Sequence, residues 1–413
     1  MKVLSTINTK PLLLTLSLGC GFIIFQVSAE PMHTPTKMPT AEPDSVGMSA
    51  EGLRGIDELM QEHVDAGHIQ GGVTIVARRG KVVHFSTYGE MDVEKHRAME
   101  PDAIYLMASS AKPVIGVAAM MLVDEGLMRL SDPVSKYIPE FADMRVAVSV
   151  GGDAKAKSTG NGKGDYRLVP VDTPVTIHHL LTHTSGLAFG GMGDSVQVSH
   201  DDTLETYVRK VAKAPLSFQP GTRWKYGNAA IHGVVGRIIE IVSETPFNEF
   251  MRERVFDPLE MNNSYFSVPS EKQSKRVVLK GIDISKKKKG WGLSSTAEDF
   301  LHFNQMLLNG GELFGRRLLS PESVKMMSSN QVGDLFSNAG KKGPKGMWFG
   351  YAVAVTLDPE TAGNHRGVGS FGWGGAGGTL SWADPENELV AVRMLQQERG
   401  GDFEKAVQEA IIE

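Results

Sequence analysis

A serine and a lysine three positions apart, Ser109 and Lys112, form the first pattern with chemical potential, and an apolar segment follows them. On a helix, residues i and i+3 share a face, so the Lys112 amine is expected beside the Ser109 hydroxyl. A serine attacks a carbonyl only when a neighbouring group takes its proton, and a lysine can help once burial lowers its pKa. The free N–H groups at a helix start also stabilise developing negative charge. Alone, this short pattern is a hypothesis, because a capped helix with a solvated lysine looks the same.

The second pattern is Tyr226-Gly227-Asn228, just before a predicted helix. A tyrosine near a cationic lysine can have a lowered pKa and act as a general base. Asn228 offers both a donor and an acceptor, either to a substrate carbonyl or to Lys112. Read alone, a tyrosine before a helix more often serves packing.

The third pattern is Trp373-Gly374-Gly375-Ala376, which leads into a predicted strand. Glycines at such a place let a backbone approach a ligand closely. The N–H of Ala376 is then free to join that of Ser109 as an oxyanion hole.

Other patterns are weaker candidates. Residues 372–377 satisfy G-x-G-x-x-G, but a strand rather than a helix follows, which argues against a dinucleotide site. His183 suggests a Ser-His-Asp triad, yet no G-x-S-x-G occurs, and a hydrogen-bonded structural histidine is the favoured interpretation. The two histidines at positions 178 and 179 have no carboxylate or cysteine at metal-ligand spacing, so no metal and no cofactor are predicted.

Surface and core roles are expected for the remaining candidates. The four lysines at 286–289 are interpreted as part of a solvated surface. Core packing, rather than the cleft, is favoured for three aromatic residues: Trp291, Trp348 and Phe371.

Hydrophobic periodicity predicts the elements that position these residues. Helices are expected over 49–66, 110–125, 203–213, 229–243, 246–255, 296–308, 321–328 and 402–412. Strands are expected over 72–78, 81–88, 350–356, 378–383 and 389–395. This order predicts an α/β (α+β) fold in which 49–104 and 331–413 form one sheet domain and 105–330 a mainly helical insertion. The cleft is expected at the seam between the two parts, and 151–164 is expected to be a surface loop.

The N-terminal segment looks like a targeting signal rather than fold. An apolar run at 12–25 follows two lysines and ends in a small-residue motif at 27–29, which predicts a signal peptide over 1–29 and an extracytoplasmic location. The run is shorter than the about 20 residues of a membrane span. Cys20 lies inside it, and a lipid anchor there is the weaker alternative. Residues 30–48 are predicted to be a flexible lead-in.

Composition narrows the classes of partner. The chain has 413 residues, of which 41% are hydrophobic and 22% charged, and its net charge of −5 gives no support for nucleic acid or an anionic membrane. Because the only cysteine lies in the predicted signal peptide, the mature chain has neither a disulfide nor a cysteine nucleophile.

The order and contexts of the three patterns resemble the serine β-lactamase and penicillin-binding superfamily, most closely class C β-lactamases and family VIII carboxylesterases. Three phrases strengthen the resemblance, which spans about residues 45–398: Leu-Leu-Thr-His-Thr-Ser-Gly-Leu at 180–187, Phe-Gln-Pro-Gly-Thr at 218–222 and Gly-Leu-Ser-Ser-Thr-Ala at 292–297. The resemblance implies an antiparallel sheet flanked by helices.

The resemblance also implies roles for single residues. Ser109 would form an acyl-enzyme, and Lys112 would assist proton transfer. Tyr226 would be the general base that activates first Ser109 and later the deacylating water. Asn228 would hold the acyl side chain or the lysine, and the N–H groups of Ser109 and Ala376 would bind the oxyanion.

One position departs from the lactamase pattern, because Trp373-Gly374-Gly375 stands where those enzymes have Lys-Thr-Gly. The lysine of that motif pairs with the carboxylate of the substrate, and an indole cannot. Losing such a charge-assisted contact, worth about 1.5–3 kcal/mol, weakens binding of the substrate carboxylate by roughly ten- to more than a hundredfold. A serine hydrolase acting as a carboxylesterase on short-chain or neutral acyl esters is therefore expected. The alternatives are a β-lactamase or D-Ala-D-Ala carboxypeptidase-type peptidase, an amidase or acyltransferase, and a non-catalytic binding protein. The expected partner is a small-molecule ester, amide or lactam, and the oligomeric state stays open.

Overall fold

A computed structural model describes residues 37–149, 166–187, 199, 202–278, 292–340, 343–397 and 402–412. Several predicted features lie outside these residues: the signal peptide at 1–29 with Cys20, the lead-in up to residue 36, the loop at 151–164, the lysines at 286–289, and Trp291. Within the described ranges, every helix is too short or too polar to cross a bilayer.

Helices form most of the middle of the chain. The α-helices α1 to α10 of the described residues are Ala50–Asp65, Ala111–Asp124, Ile177–Leu181, Leu204–Ala212, Gly236–Ser243, Phe247–Met251, Ala297–Leu308, Pro321–Met327, Pro359–Ala362 and Phe403–Glu409. Two π-helical segments, Ala229–Val235 and Arg252–Phe256, adjoin α5 and α6. Short 3₁₀ turns occur at Pro43–Val46, Ala108–Ser110, Val134–Lys136, Pro139–Phe141, Asp257–Leu259, Ser270–Lys275 and Gly333–Leu335.

Strands come mainly from the two ends of the chain. In the same described ranges, β1 to β14 are Gly71–Arg78, Lys81–Asp92, Arg97–Ala98, Tyr105–Leu106, Arg145–Ser149, Tyr166–Pro170, Ser294–Ser295, Glu312–Leu313, Arg316–Arg317, Met347–Phe349, Ala354–Thr356, Phe371–Gly375, Thr379–Asp384 and Leu389–Met394.

One antiparallel sheet joins both ends, in the order β10-β11-β12-β13-β14-β1-β2-β3. The seam is the pairing of β1 with β14, in which Val73 lies opposite Met394 and Arg78 opposite Leu389. The predicted α/β fold, with a sheet built from both terminal regions and flanked by helices, is therefore confirmed. The proposed domain boundaries stay a prediction.

Both faces of the sheet are covered, because successive residues of β1 point to opposite sides. Ile75 belongs to the main core, together with Phe300 of α7. Val76 faces a second core with Ile56 of α1 and Phe403 of α10. Strand β1 is consequently buried along its whole length.

Helix α2 is the central helix of the main core. Nearly all of its side chains are apolar and buried, and a helix that is apolar all round has to be surrounded by protein. Lys112 is the exception in its first turn, where it is a lysine with 1% relative exposure. A buried cation in such a place indicates function rather than stability.

Three predicted elements differ from the structure. The strand predicted over 350–356 is right only for its last part, β11. Residues 350–353 form the turn between β10 and β11: the Gly350 N–H donates to the Val353 carbonyl, and Ala352 has a φ of 63°. A Cβ at Gly350 would also collide with the backbone of Met327. Strand β12 was not predicted, because its glycines hide the strand signal. The helices predicted over 229–243 and 246–255 each contain a π segment.

Candidate active site

Ser109 lies in a tight turn immediately before α2, rather than inside the helix. The turn is the 3₁₀ segment Ala108–Ser110, and Ala108 has a φ of 46°, a left-handed conformation that is rare for alanine. Met107 anchors it from the preceding side, because its N–H donates to the Leu293 carbonyl at 2.8 Å. Strained backbone of this kind concentrates at functional sites.

Lys112 points at the Ser109 hydroxyl, as its spacing predicts. Its Nζ lies 3.3 Å from Ser109 Oγ, 2.6 Å from Tyr226 Oη and 2.8 Å from Asn228 Oδ1. All three partners are uncharged, so no carboxylate offsets the cost of burying an ammonium group. Burial consequently lowers the pKa of Lys112 from 10.5 to about 7. The neutral amine, a base, is thus well populated near neutral pH.

Tyr226 completes the group, since its Oη lies 2.5 Å from Ser109 Oγ. Lys112 Nζ also lies 4.6 Å from the centre of the Tyr226 ring. Burial raises the pKa of Tyr226, and contacts with Ser109 and Trp373 only partly offset this. The lowered pKa predicted from the neighbouring lysine is therefore wrong: a phenolate is poorly solvated here, and its neighbour is the lysine whose charge burial disfavours.

The loop that carries Tyr226 is fixed by backbone hydrogen bonds between two of the phrases noted in the sequence. The Lys225 N–H donates to the His183 carbonyl at 3.0 Å, and the Gly221 N–H donates to the Thr184 carbonyl at 2.8 Å. Gly186 has a φ of 83°, and a Cβ there would lie 2.5 Å from the Phe218 carbonyl oxygen. The segments 180–187 and 218–222 therefore form one support for the tyrosine.

Asn228 occupies the last position before the π segment Ala229–Val235. Its side-chain carbonyl accepts a hydrogen bond from Lys112, while the residue itself is exposed. Of the two roles predicted for Asn228, contact with the lysine is the one present in this structure. π-Helical turns are rare and frequently occur at functional sites.

The end of strand β12 lies against the turn Ala108–Ser110, which carries the predicted nucleophile Ser109 and is called the nucleophile turn below. A Cβ on Gly375 would lie 2.2 Å from the Met107 carbonyl oxygen and 2.3 Å from Thr379 Oγ1. Ser110 Oγ lies 3.0 Å from Thr379 Oγ1, which donates to the Met107 carbonyl at 3.3 Å. Gly375 is thus needed for close approach to protein backbone, whereas the sequence interpretation assigned that approach to a ligand.

Ala376 follows directly, in the exposed turn between β12 and β13. This places its N–H at the end of the strand that touches the nucleophile turn. The arrangement is compatible with the predicted oxyanion hole of Ser109 and Ala376. Gly374 has ordinary space around it, since the nearest atom to an added Cβ would be 3.4 Å away.

Trp373 forms one wall of the site. Its ring stacks on Tyr226 with centroids 5.7 Å apart and an interplanar angle of 30°, and it meets Phe349 edge-on at 5.5 Å. Trp373 is half-buried. Phe371 is 3% exposed and belongs to the main core, against which Trp348 also packs. Both residues therefore pack with the core, as the sequence analysis favoured.

His183 is not the hydrogen-bonded structural histidine that the sequence predicts. Its ring is fully buried against Tyr226 at 4.9 Å and Phe349 at 5.5 Å, and neither ring nitrogen has a hydrogen-bond partner among the residues that the structure describes. Burial, together with the nearby Lys112, lowers its pKa well below the usual value, so the ring is neutral. Its backbone has a φ of 57°, and its carbonyl accepts the hydrogen bond from the Lys225 N–H. His183 therefore contributes mainly a backbone turn that holds the loop with Tyr226.

Sequence reasoning missed several supporting residues. Thr379 and Ser110 tie strand β13 to the nucleophile turn, and Trp224 packs on Phe349 at 5.4 Å behind Tyr226. No local pattern marks Thr379, because its partner is 269 positions away. His178 donates to or accepts from Tyr351 at 3.1 Å. Among the described residues, no group of three or more histidines, cysteines or carboxylates is arranged to hold a metal.

Comparison with known families gives one match over most of the chain. A family model described as Beta-lactamase matches residues 56–413. Protein Rv1367c of Mycobacterium tuberculosis is 31% identical over 373 residues, covering 83% of this chain and 90% of the relative. Esterase EstB of Burkholderia gladioli is 28% identical over 386 residues, covering 83% of this chain and 89% of the esterase.

Solved structures share the fold. EstCE1, described as a hydrolase with promiscuous acyltransferase activity, superposes with a TM-score of 0.70 at 24% identity, covering 88% of this chain and 99% of that one. A family VIII carboxylesterase also superposes with a TM-score of 0.70, at 18% identity, covering 88% and 98%.

Proposed function

The chain belongs to the beta-lactamase family, and on that premise we propose that it is a carboxylesterase that forms an acyl-enzyme on Ser109. The observation that carries this proposal is the contact of one serine oxygen with two proton carriers. Ser109 Oγ lies 2.5 Å from Tyr226 Oη and 3.3 Å from Lys112 Nζ. The esterase EstB, which is 28% identical, supports the choice of esters.

Acylation begins with attack of Ser109 Oγ on the ester carbonyl carbon. The serine proton passes to Tyr226 Oη, whose own proton passes to the neutral Lys112 amine 2.6 Å away. The carbonyl oxygen becomes an oxyanion, to which the N–H groups of Ser109 and Ala376 donate. Collapse of this intermediate breaks the ester C–O bond, and the proton held by Lys112 and Tyr226 returns to the leaving alcohol.

Deacylation uses the same groups. A water molecule attacks the acyl-serine carbonyl, Tyr226 and Lys112 again take a proton, and Ser109 Oγ leaves with that proton. The products are the carboxylic acid and the free enzyme, so the sum is hydrolysis of one ester. Asn228 keeps the Lys112 amine aimed at the tyrosine through both steps, because its side-chain carbonyl lies 2.8 Å from Nζ.

Trp373 favours esters over β-lactams. An indole stacked on Tyr226 supplies apolar surface and one N–H donor where a lactamase has a lysine for the substrate carboxylate. A neutral acyl group next to the scissile bond fits this wall better than a carboxylate does. The β-lactamase or peptidase alternative keeps the same nucleophile and differs in this wall.

The test compares p-nitrophenyl butyrate with a chromogenic cephalosporin as substrates of the full mature chain. Hydrolysis of the butyrate with at least about tenfold higher kcat/KM supports the esterase, and turnover of the cephalosporin alone overturns it. Labelling with a fluorophosphonate, followed by mass spectrometry, separately tests the acyl-enzyme. We expect the adduct on Ser109; Ser109→Ala should lose it, whereas Ser110→Ala should retain it. An unlabelled wild-type protein would favour the non-catalytic alternative.

The same proposal includes an extracytoplasmic location. It rests on the lysines, apolar run and small-residue motif within residues 1–29. N-terminal sequencing of the protein purified from its natural source should start at Glu30. A mature protein that carries a lipid on Cys20 would instead support the membrane-anchored alternative.

A further inference from the structure

A cavity of about 360 Å³, lined largely by the loop that carries Tyr226, borders this tyrosine. Its volume lies at the lower end of the roughly 300–1,000 Å³ of small-molecule sites. Phe218 and Trp224 supply apolar surface, Arg223 and Lys225 supply two cations, and Tyr226 closes one end. Tyr226 therefore both lines this cavity and contacts Ser109 through its hydroxyl.

The two cations of this cavity have no ionic partner within the described ranges. Neither Arg223 nor Lys225 has a side-chain hydrogen bond or an ion pair with any residue in the described part of the chain, and no acidic residue is among the described residues that line the cavity. The Lys225 side chain is only half-exposed, so part of its solvation is already lost. An anion placed there would meet two positive charges and no negative one.

The backbone of the segment that carries both cations is anchored. Lys225 donates its N–H to the His183 carbonyl at 3.0 Å, and Trp224 is packed against Phe336 at 4.7 Å. Trp224 is therefore fixed between Arg223 and Lys225, which both line the cavity. A site whose backbone is already ordered binds with less entropic cost than a mobile one.

We propose that Arg223 and Lys225 form a subsite for a carboxylate at the far end of an ester substrate. This inference rests on the proposed esterase function and deepens it: the scissile ester lies at Ser109 beside Trp373, and the anionic group occupies the cavity that Tyr226 also lines. Arg223 suits a carboxylate because its guanidinium can donate two parallel hydrogen bonds, while Lys225 adds a second positive charge. The substrate class is thus a half-ester of a dicarboxylic acid or an ester of a carboxylated alcohol.

Two matched pairs of esters test whether the carboxylate belongs to the acyl part or to the alcohol part of the substrate. For the acyl side, p-nitrophenyl hydrogen glutarate is compared with neutral p-nitrophenyl hexanoate. For the alcohol side, carboxymethylphenyl butyrate is compared with tolyl butyrate. We expect one anionic ester to exceed its neutral partner in kcat/KM, mainly through a lower KM. The preference should weaken with added salt, because the cations are partly exposed.

For the wild type and each variant, the measured quantity is the kcat/KM of an anionic ester divided by the kcat/KM of its neutral partner. The double change Arg223→Gln with Lys225→Gln should lower that ratio by roughly three- to tenfold, the range of two partly exposed ion pairs. Lys225→Glu should lower it further, because it adds repulsion. Arg316→Gln, in the distant and exposed strand β9, removes the same charge and should leave the ratio at the wild-type value.

The outcomes separate the two proposals. If neutral esters are hydrolysed and the ratio is the same in the wild type and the double variant, the carboxylate subsite is wrong while the esterase stands. If none of the four esters is hydrolysed, the esterase function itself fails, and the subsite with it. A ratio that falls equally in Arg316→Gln would show a general charge effect and would also overturn the subsite.

Discussion

The hydroxyl oxygen of Tyr226 lies 2.6 Å from the amine of Lys112, and burial moves the pKa values of the two groups in opposite directions. The pKa of Lys112 falls to about 7, while that of Tyr226 rises above its ordinary value. A neutral amine beside a neutral phenol is therefore favoured over an ammonium beside a phenolate. We infer that the amine is the final acceptor of the serine proton and that the phenol passes it on. The apparent pKa seen in kinetics belongs to the pair.

The first prediction concerns pH and Lys112. Because the neutral amine is the base, kcat/KM for p-nitrophenyl butyrate should rise with pH through an apparent pKa near 7 and then level off. Lys112→Arg keeps a charge that cannot be lost at these pH values, so it should lower kcat/KM by at least about a hundredfold. A pH-rate profile of both proteins, corrected for spontaneous hydrolysis, is the measurement. A wild-type profile that is flat between pH 5 and 9 would contradict this role.

The second prediction separates the Tyr226 hydroxyl from its ring. Tyr226→Phe removes the oxygen next to Ser109 but keeps the ring that packs on Trp373 and His183. We expect kcat to fall by about 10²–10⁴-fold, the usual contribution of a general base, with little change in Tm. Phe336→Leu, behind the site, is the contrasting change: it should lower Tm more than kcat. Near-normal kcat in Tyr226→Phe would remove the tyrosine from the proton route.

The third prediction uses two adjacent glycines of strand β12. Gly375→Ala would place a methyl group 2.2 Å from the Met107 carbonyl oxygen, whereas the methyl of Gly374→Ala finds its nearest atom at 3.4 Å. The first change should push the strand from the nucleophile turn and lower kcat by roughly 10²-fold, because small misplacements of reacting groups are costly. The second should lower kcat much less. Kinetics and Tm of both variants decide it, and equal losses would be the contrary result.

The fourth prediction concerns acid stability. Burial lowers the pKa values of several histidines: to about 4 for His179 and His302, to about 3 for His232, and in the same direction for His178 and His183. The unfolded chain takes up protons near pH 6.5 while the folded protein does not, so the free energy of unfolding should fall as pH drops below about 6.5 and towards 4.

Asp299 opposes this trend, because burial raises its pKa from 3.8 to about 6 and protonation there favours the folded protein. Burial raises the pKa of Glu298 as well, so five histidines act against two carboxyls, and the sum should still be a loss of stability in acid. Denaturant titrations at several pH values measure it. His232→Gln should flatten the pH dependence, and an unfolding free energy that increases from pH 6.5 to 4.5 would contradict the prediction.

Local spacing was enough to predict the contact between Ser109 and Lys112, because i and i+3 share a face whether the turn is α-helical or 3₁₀. The approach of Tyr226 was predicted only by the resemblance, since 117 positions separate it from Ser109. The central strands of the sheet, β1 and β14, were likewise predictable from their β-branched runs. Glycine-rich β12 was not, because its extended form is imposed by its neighbours.

Electrostatic properties were harder to predict than positions. A lysine next to Tyr226 suggested a lowered tyrosine pKa, but the sign depends on how much water reaches both groups, which only the packed structure gives. For the same reason His183 was expected to find a hydrogen-bond partner. Its neighbours are aromatic rings contributed by distant segments, so the ring has apolar contacts instead.

The pairing of β1 with β14 has a consequence for how the protein is made. On the ribosome, the turn with Ser109 and the loop with Tyr226 emerge long before residues 371–394, which supply the strand behind the nucleophile and the partner of β1. Contacts between such distant segments form late, because a long loop has to close first. A nascent chain would therefore carry Ser109 without Ala376, its proposed oxyanion donor, and the proposed hydrolytic activity should arrive only with the last strands of the sheet.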